Sequence, residues 1–295
     1  MIEEVQPPAG DHAGVGQPTL TFTPRLIQGV EYLHAQTASG GDLFLTRFGL
    51  PFAAYLHPDN WLASAWFASH RQRLRGTSAI YHTQTQPVHG RSLELLVRYN
   101  RVGEDLPVDT VTRDCYTHAE FNSPFEEVAE VMALRAARFG PQRRRIPTKR
   151  PLAIYSPPDR LALWQTGRHA YRIAAKQLRL PEIALDIERP YLLVYGWIRG
   201  VDAQDAADQF ALNSQSRASF LAGTMDEVVG ELAQAGFRVL DMKPAHIIVR
   251  FTANGQLLRR QDGRLVYALV DYELLERIPE NERDREGAGQ GAPRR

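Results

Sequence analysis

Two runs of sequence limit most sharply what this chain can fold into. PLAIYS (151–156) and YLLVYGWI (191–198) are apolar at nearly every position. A strand with one wet face alternates polar and apolar residues, whereas an unbroken apolar run of this length fits a strand covered on both faces. The chain must therefore build a core around central strands. Its 295 residues are enough for one large domain or two lobes.

The segments around these runs predict both element types. DLFLTRFGLPFAAYL (42–56) holds two short apolar runs split by Gly49 and Pro51, which predicts strand, turn and strand. PDNWLASAWFASHRQRL (58–74) predicts a helix capped by Asp59 or Asn60. TSAIYHTQT and SLELLVRYNRV predict strands joined through Pro87 and Gly90. SPFEEVAEVMALRAARF (123–139) predicts a helix, with Ser123 as cap, Pro124 in the first helical position and Glu126 completing a capping box. RHAYRIAAKQLRL, between the two apolar runs, predicts a basic amphipathic helix whose outer face is either simply solvated or a ligand or partner surface. DAQDAADQFAL and TMDEVVGELAQAG predict helices, the second stopped by Gly236. HIIVRF and LVYALVDYEL predict two strands connected through the hairpin-like TANGQLLRRQDGR. Strands come first with one helix among them, then helices, then a final hairpin. That order predicts a two-lobe α+β layout with a cleft between the lobes.

Composition narrows the function classes. A formal net charge of +1 creates no strong global field, so charge alone points neither to nucleic acid nor to an anionic membrane. The single cysteine, Cys115, excludes an internal disulfide and reads as a half-buried structural thiol in a reducing compartment. Residues 1–18 hold no apolar h-region, and no run of 18 apolar residues exists, so the expected location is cytoplasmic. Residues 1–18 and 279–295 are expected to be disordered tails on composition.

The most unusual stretch is GFRVLDMKPAHIIVR (236–250). Of 35 basic Lys and Arg residues only Lys149, Lys176 and Lys243 are lysines, and Lys243 stands two residues after Asp241 and just before Pro244. A compact ammonium suits point contact with phosphate better than a planar guanidinium does. DMKPAH followed by the strand IIVR, and then LVDYE after a second strand, resembles the protein-kinase-like fold. The first piece is similar to the kinase catalytic loop, in which Asp is followed at +2 by Lys, at +3 by Pro and at +5 by Asn. The second, Asp271-Tyr272-Glu273, is similar to the metal-binding D-F-G. The plain alternative is that Asp241 caps a turn before Pro244 and Asp271 merely ends a strand.

The resemblance implies roles residue by residue. Asp241 would take the proton of the attacking hydroxyl and Lys243 would contact the transferred phosphate. Asp271 would hold Mg²⁺ or Mn²⁺, with His246 standing where the family has its second, Asn ligand. The backbone of Tyr195, Gly196 and Trp197 would meet the adenine of ATP. Gly76 in RGTSAIYHT would belong to the glycine-rich loop, and Arg98 in LELLVRY would take the place of the phosphate-binding lysine. Its carboxylate partner would come from the 123–139 helix: Glu127 by helical phase, with Glu130 as runner-up. The implied domain spans 19–278, with an antiparallel-sheet N-lobe at about 40–198 and a reduced helical C-lobe at about 199–278.

The departures are equally specific. The family's His two before the catalytic Asp is Val239, its Lys is Arg98, its +5 Asn is His246, and Gly76 alone represents the glycine-rich loop. Only 24 residues follow Asp271 and they hold no Ala-Pro-Glu, so a peptide-substrate platform is not expected. Three readings stand. The first is a divergent, bacterial-type kinase passing the ATP terminal phosphate to a small molecule or unusual acceptor. The second is a pseudokinase that binds nucleotide or a protein partner. The third is a scaffold whose Asp and Lys residues are turn chemistry.

Overall fold

The computed structural model describes residues 20–106, 119–140, 145–210 and 213–279. The expectations for residues 1–18, for Cys115 and for nearly all of 279–295 lie outside them. The protein is mixed α+β, with a large antiparallel sheet and seven α-helices among the described residues. The chain divides into two compact units, one of residues 1–105, 123–125 and 150–197, the other of 106–122, 126–149 and 198–295.

The first unit is built on eight strands: β1 (Thr23–Ile27), β2 (Val30–Gln36), β3 (Asp42–Leu45), β4 (Gln72–Arg73), β5 (Ile80–Gln84), β6 (Glu94–Tyr99), β7 (Pro151–Ser156) and β8 (Leu192–Gly196). They lie in the order β1-β2-β3-β7-β8-β6-β5-β4, with every neighbouring pair antiparallel. The two apolar runs thus take central places. All of β7 and the first four residues of β8 are buried. Leu95, Val97, Leu192, Val194 and Tyr155 join a core with Leu43, Leu45, Leu56 and Trp61. The alternate residues Leu96, Arg98, Ile154, Leu193 and Tyr195 are buried as well.

Two local expectations change. FAAYL is not a strand: Leu50–Phe52 forms a 3₁₀ turn that runs into α1 (Ala53–Leu56). Pro51 sits in the opening turn, where its missing N–H costs nothing, and helical spacing lays Phe52, Tyr55 and Leu56 on the core. Over 58–74 only Ser64–His70 is α-helical (α2), capped by neither Asp59 nor Asn60. Those two residues lie in a preceding 3₁₀ turn, where the Asn60 amide donates to the Ala54 carbonyl at 2.6 Å.

The turn after β3 is fixed by one hydroxyl. Thr46 Oγ1 donates to the Pro151 carbonyl at 2.6 Å and accepts from the Phe48 and Gly49 N–H groups at 3.1 and 3.3 Å. A Cβ on Gly49 would stand 2.0 Å from the Leu152 carbonyl oxygen, so this close approach to β7 admits only glycine. Phe125, at the start of α3 (Pro124–Ala136), meets Tyr32 and Phe44 edge to face at 5.7 and 5.1 Å. Between β7 and β8 the unit also carries α4 (Leu163–Thr166) and the expected α5 (Ala170–Arg179).

The second unit combines the rest of α3 with β9 (Val201–Asp202), α6 (Ala203–Gln209), α7 (Ser214–Gln234), β10 (Phe237–Val239), β11 (Ile247–Val249), β12 (Tyr267–Leu269) and β13 (Leu275–Arg277). Asp202 caps α6 and Asn213 caps α7, each accepting a backbone N–H at 2.8 Å. Beyond α7, Gly236 takes the left-handed conformation expected of a helix stop. Two glutamates one turn apart tie α7 to the β11–β12 connection. Glu227 accepts from the Leu265 N–H at 2.6 Å, and buried Glu231 from the Tyr267 hydroxyl at 2.9 Å. Burial, with the Glu231 charge adding to it, pushes the Tyr267 phenol well above its ordinary range.

Thr46→Val keeps the shape and removes the hydroxyl, leaving the Pro151 carbonyl and the Phe48 N–H without this partner. The expected cost is about 1–3 kcal/mol, read by urea unfolding. A change below about 0.5 kcal/mol would show that the turn does not depend on it.

Candidate functional site

Two three-residue ladders bring the motif residues into one region. β10 pairs antiparallel with β13, Val239 opposite Leu275, and β11 pairs antiparallel with β12, Ile247 opposite Leu269. The segment leaving β10 must reach β11, and the segment leaving β12 must reach β13, so 240–246 and 270–274 run side by side. Backbone bonds close both ends: Leu240 N–H to Leu274 O at 3.1 Å, and Val270 N–H to His246 O at 3.0 Å. Asp241 and Lys243 lie on one segment, Asp271 on the other, and His246 ends the short 3₁₀ turn Pro244–His246 that leads into β11.

Asp271 is seated by its neighbours. Its Oδ1 accepts the Glu273 N–H at 3.1 Å, and its Oδ2 lies 3.4 Å from His246 Nε2. Tyr272 is completely buried beneath it. The Tyr272 hydroxyl donates to the Leu269 carbonyl and accepts the Lys149 N–H at 2.7 Å, and burial raises the phenol well above its ordinary range. Lys149 adds a second anchor, its Nζ donating to the Val270 carbonyl at 2.9 Å. Asn122 holds the far side, its amide donating to the Tyr272 and Leu275 carbonyls at 3.2 and 2.8 Å and its backbone N–H to Glu273 O at 2.9 Å. Lysine scarcity singles out Lys149 in the sequence, while nothing there singles out Asn122.

Asp241 and Lys243 form their own pair. Lys243 Nζ reaches Oδ1 at 2.8 Å and Oδ2 at 2.9 Å, with the lysine more than half exposed. An exposed pair of this kind is held weakly and can open at small cost. The ammonium is therefore available to an arriving anion, and the carboxylate is then freed.

His246 and Asp271 suit a shared cation in their spacing. Two neighbouring ligands on one divalent ion lie about 3.0–3.4 Å apart when each ligand distance is roughly 2.1–2.4 Å. His246 Nδ1 is buried with no hydrogen-bond partner among the described residues. Asp271 supplies the hard oxygen that Mg²⁺ favours, and the imidazole tilts the pair towards Mn²⁺. Among the described residues no group of three or more His, Cys, Asp or Glu side chains is arranged around one point. A cation held here would draw its remaining ligands from water and substrate oxygens.

The other expected residues lie on well-defined elements. Gly76, with φ of 143°, is in the loop of the β4–β5 hairpin, which the Leu74 N–H to Ile80 O bond closes at 3.0 Å. Arg98 is buried in β6, between Ile80 and Leu193 in register. Glu127 is fully buried on α3, whereas Glu130 pairs with Arg277 Nε at 2.8 Å. Tyr195 is buried in β8. The Gly196 and Trp197 N–H groups donate to the Arg150 and Glu94 carbonyls at 3.1 and 3.2 Å, so both are bonded within the sheet. The Trp197 indole is stacked on His82, with ring centres 4.0 Å apart.

No protein-family model matches the chain, and no curated protein matches its sequence. Among the described residues, no helix is long and apolar enough to cross a membrane.

Glu130 makes the α3 electrostatics testable. Burial raises its carboxyl above the ordinary glutamate range, with Arg277 only partly offsetting it. The folded state therefore holds this proton more tightly than the unfolded chain, and ionising it costs stability as pH rises from the unfolded value, about 4.3, through the folded one. Relative to Glu130→Gln, the wild-type melting temperature should fall as pH is raised from about 4 to 7. A difference that stays constant over that range would contradict this.

Proposed function

We propose that the chain is a divergent kinase-like protein. It would hold ATP with Mg²⁺ or Mn²⁺ by its phosphate end at segments 240–246 and 270–274, and pass the terminal phosphate to a small-molecule or unusual acceptor. The observation that carries this reading is the double ladder. Two motifs 30 residues apart run side by side, with His246 and Asp271 spaced for one cation and Lys243 on a weak, exposed ion pair. A two-lobe kinase-like fold and the nucleotide-facing roles of Gly76, Arg98, Glu127, Tyr195, Gly196 and Trp197 belong to the same proposal.

The reaction asks little covalent work of the protein. The acceptor oxygen bonds to the terminal phosphorus, the bond from that phosphorus to the bridging oxygen breaks, and ADP departs with its electron pair. The acceptor's proton passes to the Asp241 carboxylate, which Lys243 exposes when it swings to the phosphate. A cation at Asp271 and His246 would neutralise charge on the phosphate oxygens.

A second reading, a pseudokinase that binds nucleotide or a partner without turnover, draws support from β8. The N–H groups of Gly196, its last residue, and of Trp197 just beyond it already donate to the Arg150 and Glu94 carbonyls, which weakens the adenine contact that efficient catalysis uses. Two measurements separate the readings. Mg²⁺ or Mn²⁺ with ATP should raise the melting temperature of the wild type and not of Asp271→Ala, since only a ligand that binds the folded state stabilises it. Equal shifts, or none, would remove the metal–nucleotide site. Asp241→Asn should keep nucleotide binding and lose roughly 10²–10⁴-fold in phosphate transfer, as befits a group acting in the transition state. Equal trace activity in both proteins would leave the pseudokinase reading.

A further inference from the structure

Helix α5 is built inside out. Its inner side carries Ile173, seated so closely on Gly103 that a Cβ there would lie 2.7 Å from Ile173 Cδ1, and Lys176, only 2% exposed. Its outer side carries Tyr171 at 66% exposure, Ala174, Ala175 and Leu178 at 85%. These four positions follow i, i+3, i+4, i+7 spacing and form a single apolar stripe along the helix. A stripe of this kind faces a protein core in most helices; here it faces outward while a lysine is buried. Leu161, Leu163 and Trp164 stand exposed just before the helix, Trp164 at 83%. Five of the eight exposed large hydrophobic side chains among the described residues therefore fall within 161–178.

We propose that α5 is a dimerisation helix. The same helix of a second copy packs antiparallel across it, about a two-fold axis passing between Ala174 and Ala175. The order Tyr-x-x-Ala-Ala-x-x-Leu suits such an axis: it sets Tyr171 against Leu178 of the second copy, and Leu178 against its Tyr171. The two alanines at the centre let the backbones approach, and the axis brings Arg172 opposite Gln177 rather than opposite another cation. The five large side chains offer on the order of 600 Å² per copy, near the roughly 800 Å² per partner of a standard interface. No residue of the proposed catalytic segments takes part, so the two proposals stand or fall separately.

Sedimentation velocity of the full chain from about 1 to 100 µM tests it, a range that brackets micromolar self-association. The wild type should shift from monomer to dimer, and Leu178→Glu should weaken the dimer at least about tenfold, because a carboxylate would be forced against Tyr171. Leu178 is so exposed that, at concentrations where both proteins are monomeric, the variant should melt at the wild-type temperature. As a second readout, Ala174→Cys in a Cys115→Ser background should give covalent dimers with a short bis-maleimide. A chain that stays monomeric throughout, a dimer that Leu178→Glu leaves intact, or an absence of cross-linking would each overturn the proposal. Capture of a different protein or of lipid vesicles by a monomeric chain would overturn it too.

Discussion

Everything in the second unit that could do chemistry depends on two backbone ladders of three residues each. Ladders this short are marginal on their own. They are supported by β9, which pairs with β11, and by groups that lock the connecting segments: Lys149, whose N–H meets the Tyr272 hydroxyl and whose Nζ meets the Val270 carbonyl, and Asn122 on the carbonyls of 272 and 275. Each of these bonds is buried or partly buried, and losing one would leave a desolvated carbonyl or N–H behind. Asp271 thus stands on a rigid base, while the Asp241–Lys243 pair stays exposed and able to open. Under the proposed reading, rigidity at Asp271 and freedom at the Lys243 ammonium are the division of labour that phosphate chemistry calls for.

The same contrast explains the lysine usage. Lys149 and Lys176 are buried and Lys243 is exposed, so none of the three is an ordinary surface cation standing clear of other groups. A thin ammonium can enter a narrow space and donate to one carbonyl, as Lys149 does, where a planar guanidinium would need a wider slot.

How much of this was legible in the sequence depended on the range of the interaction. PLAIYS and YLLVYGWI gave away the central strands because burial on both faces writes itself into every residue. The α5 and α7 helices and the Gly236 stop were likewise local. FAAYL is ambiguous in the sequence because Pro51 breaks a strand and opens a helix with equal ease, and only the core decides between them. β13 was missed because Leu275–Arg277 is too short to show a period and its partner β10 lies 38 residues earlier at the Arg238–Glu276 pair. The Lys149 bond to Val270 spans 121 residues, and the Asn122 bond to Leu275 spans 153. No local pattern carries information across such distances. The motif spacing around Asp241 and Asp271 was visible, but the ladders that turn spacing into proximity were only half visible.

The inverted helix α5 shows where local legibility can mislead. Its sequence predicts a basic amphipathic helix, and an apolar stripe at i, i+3, i+4, i+7 ordinarily packs inward with the cations out. The folded unit does the reverse with Lys176, because the inner slot at Gly103 is filled by Ile173 one turn earlier and leaves the tyrosine and leucine on the opposite side. Rotating the helix to bury the stripe would expose Ile173 and break the His169 N–H bond to the Gly103 carbonyl, 2.9 Å long, that fixes its start. The rotation these contacts impose sets which face of the helix is left exposed. The Ile173 packing on Gly103, the His169 bond and the Arg172–Asp105 pair at 2.7 Å together decide which face turns outward.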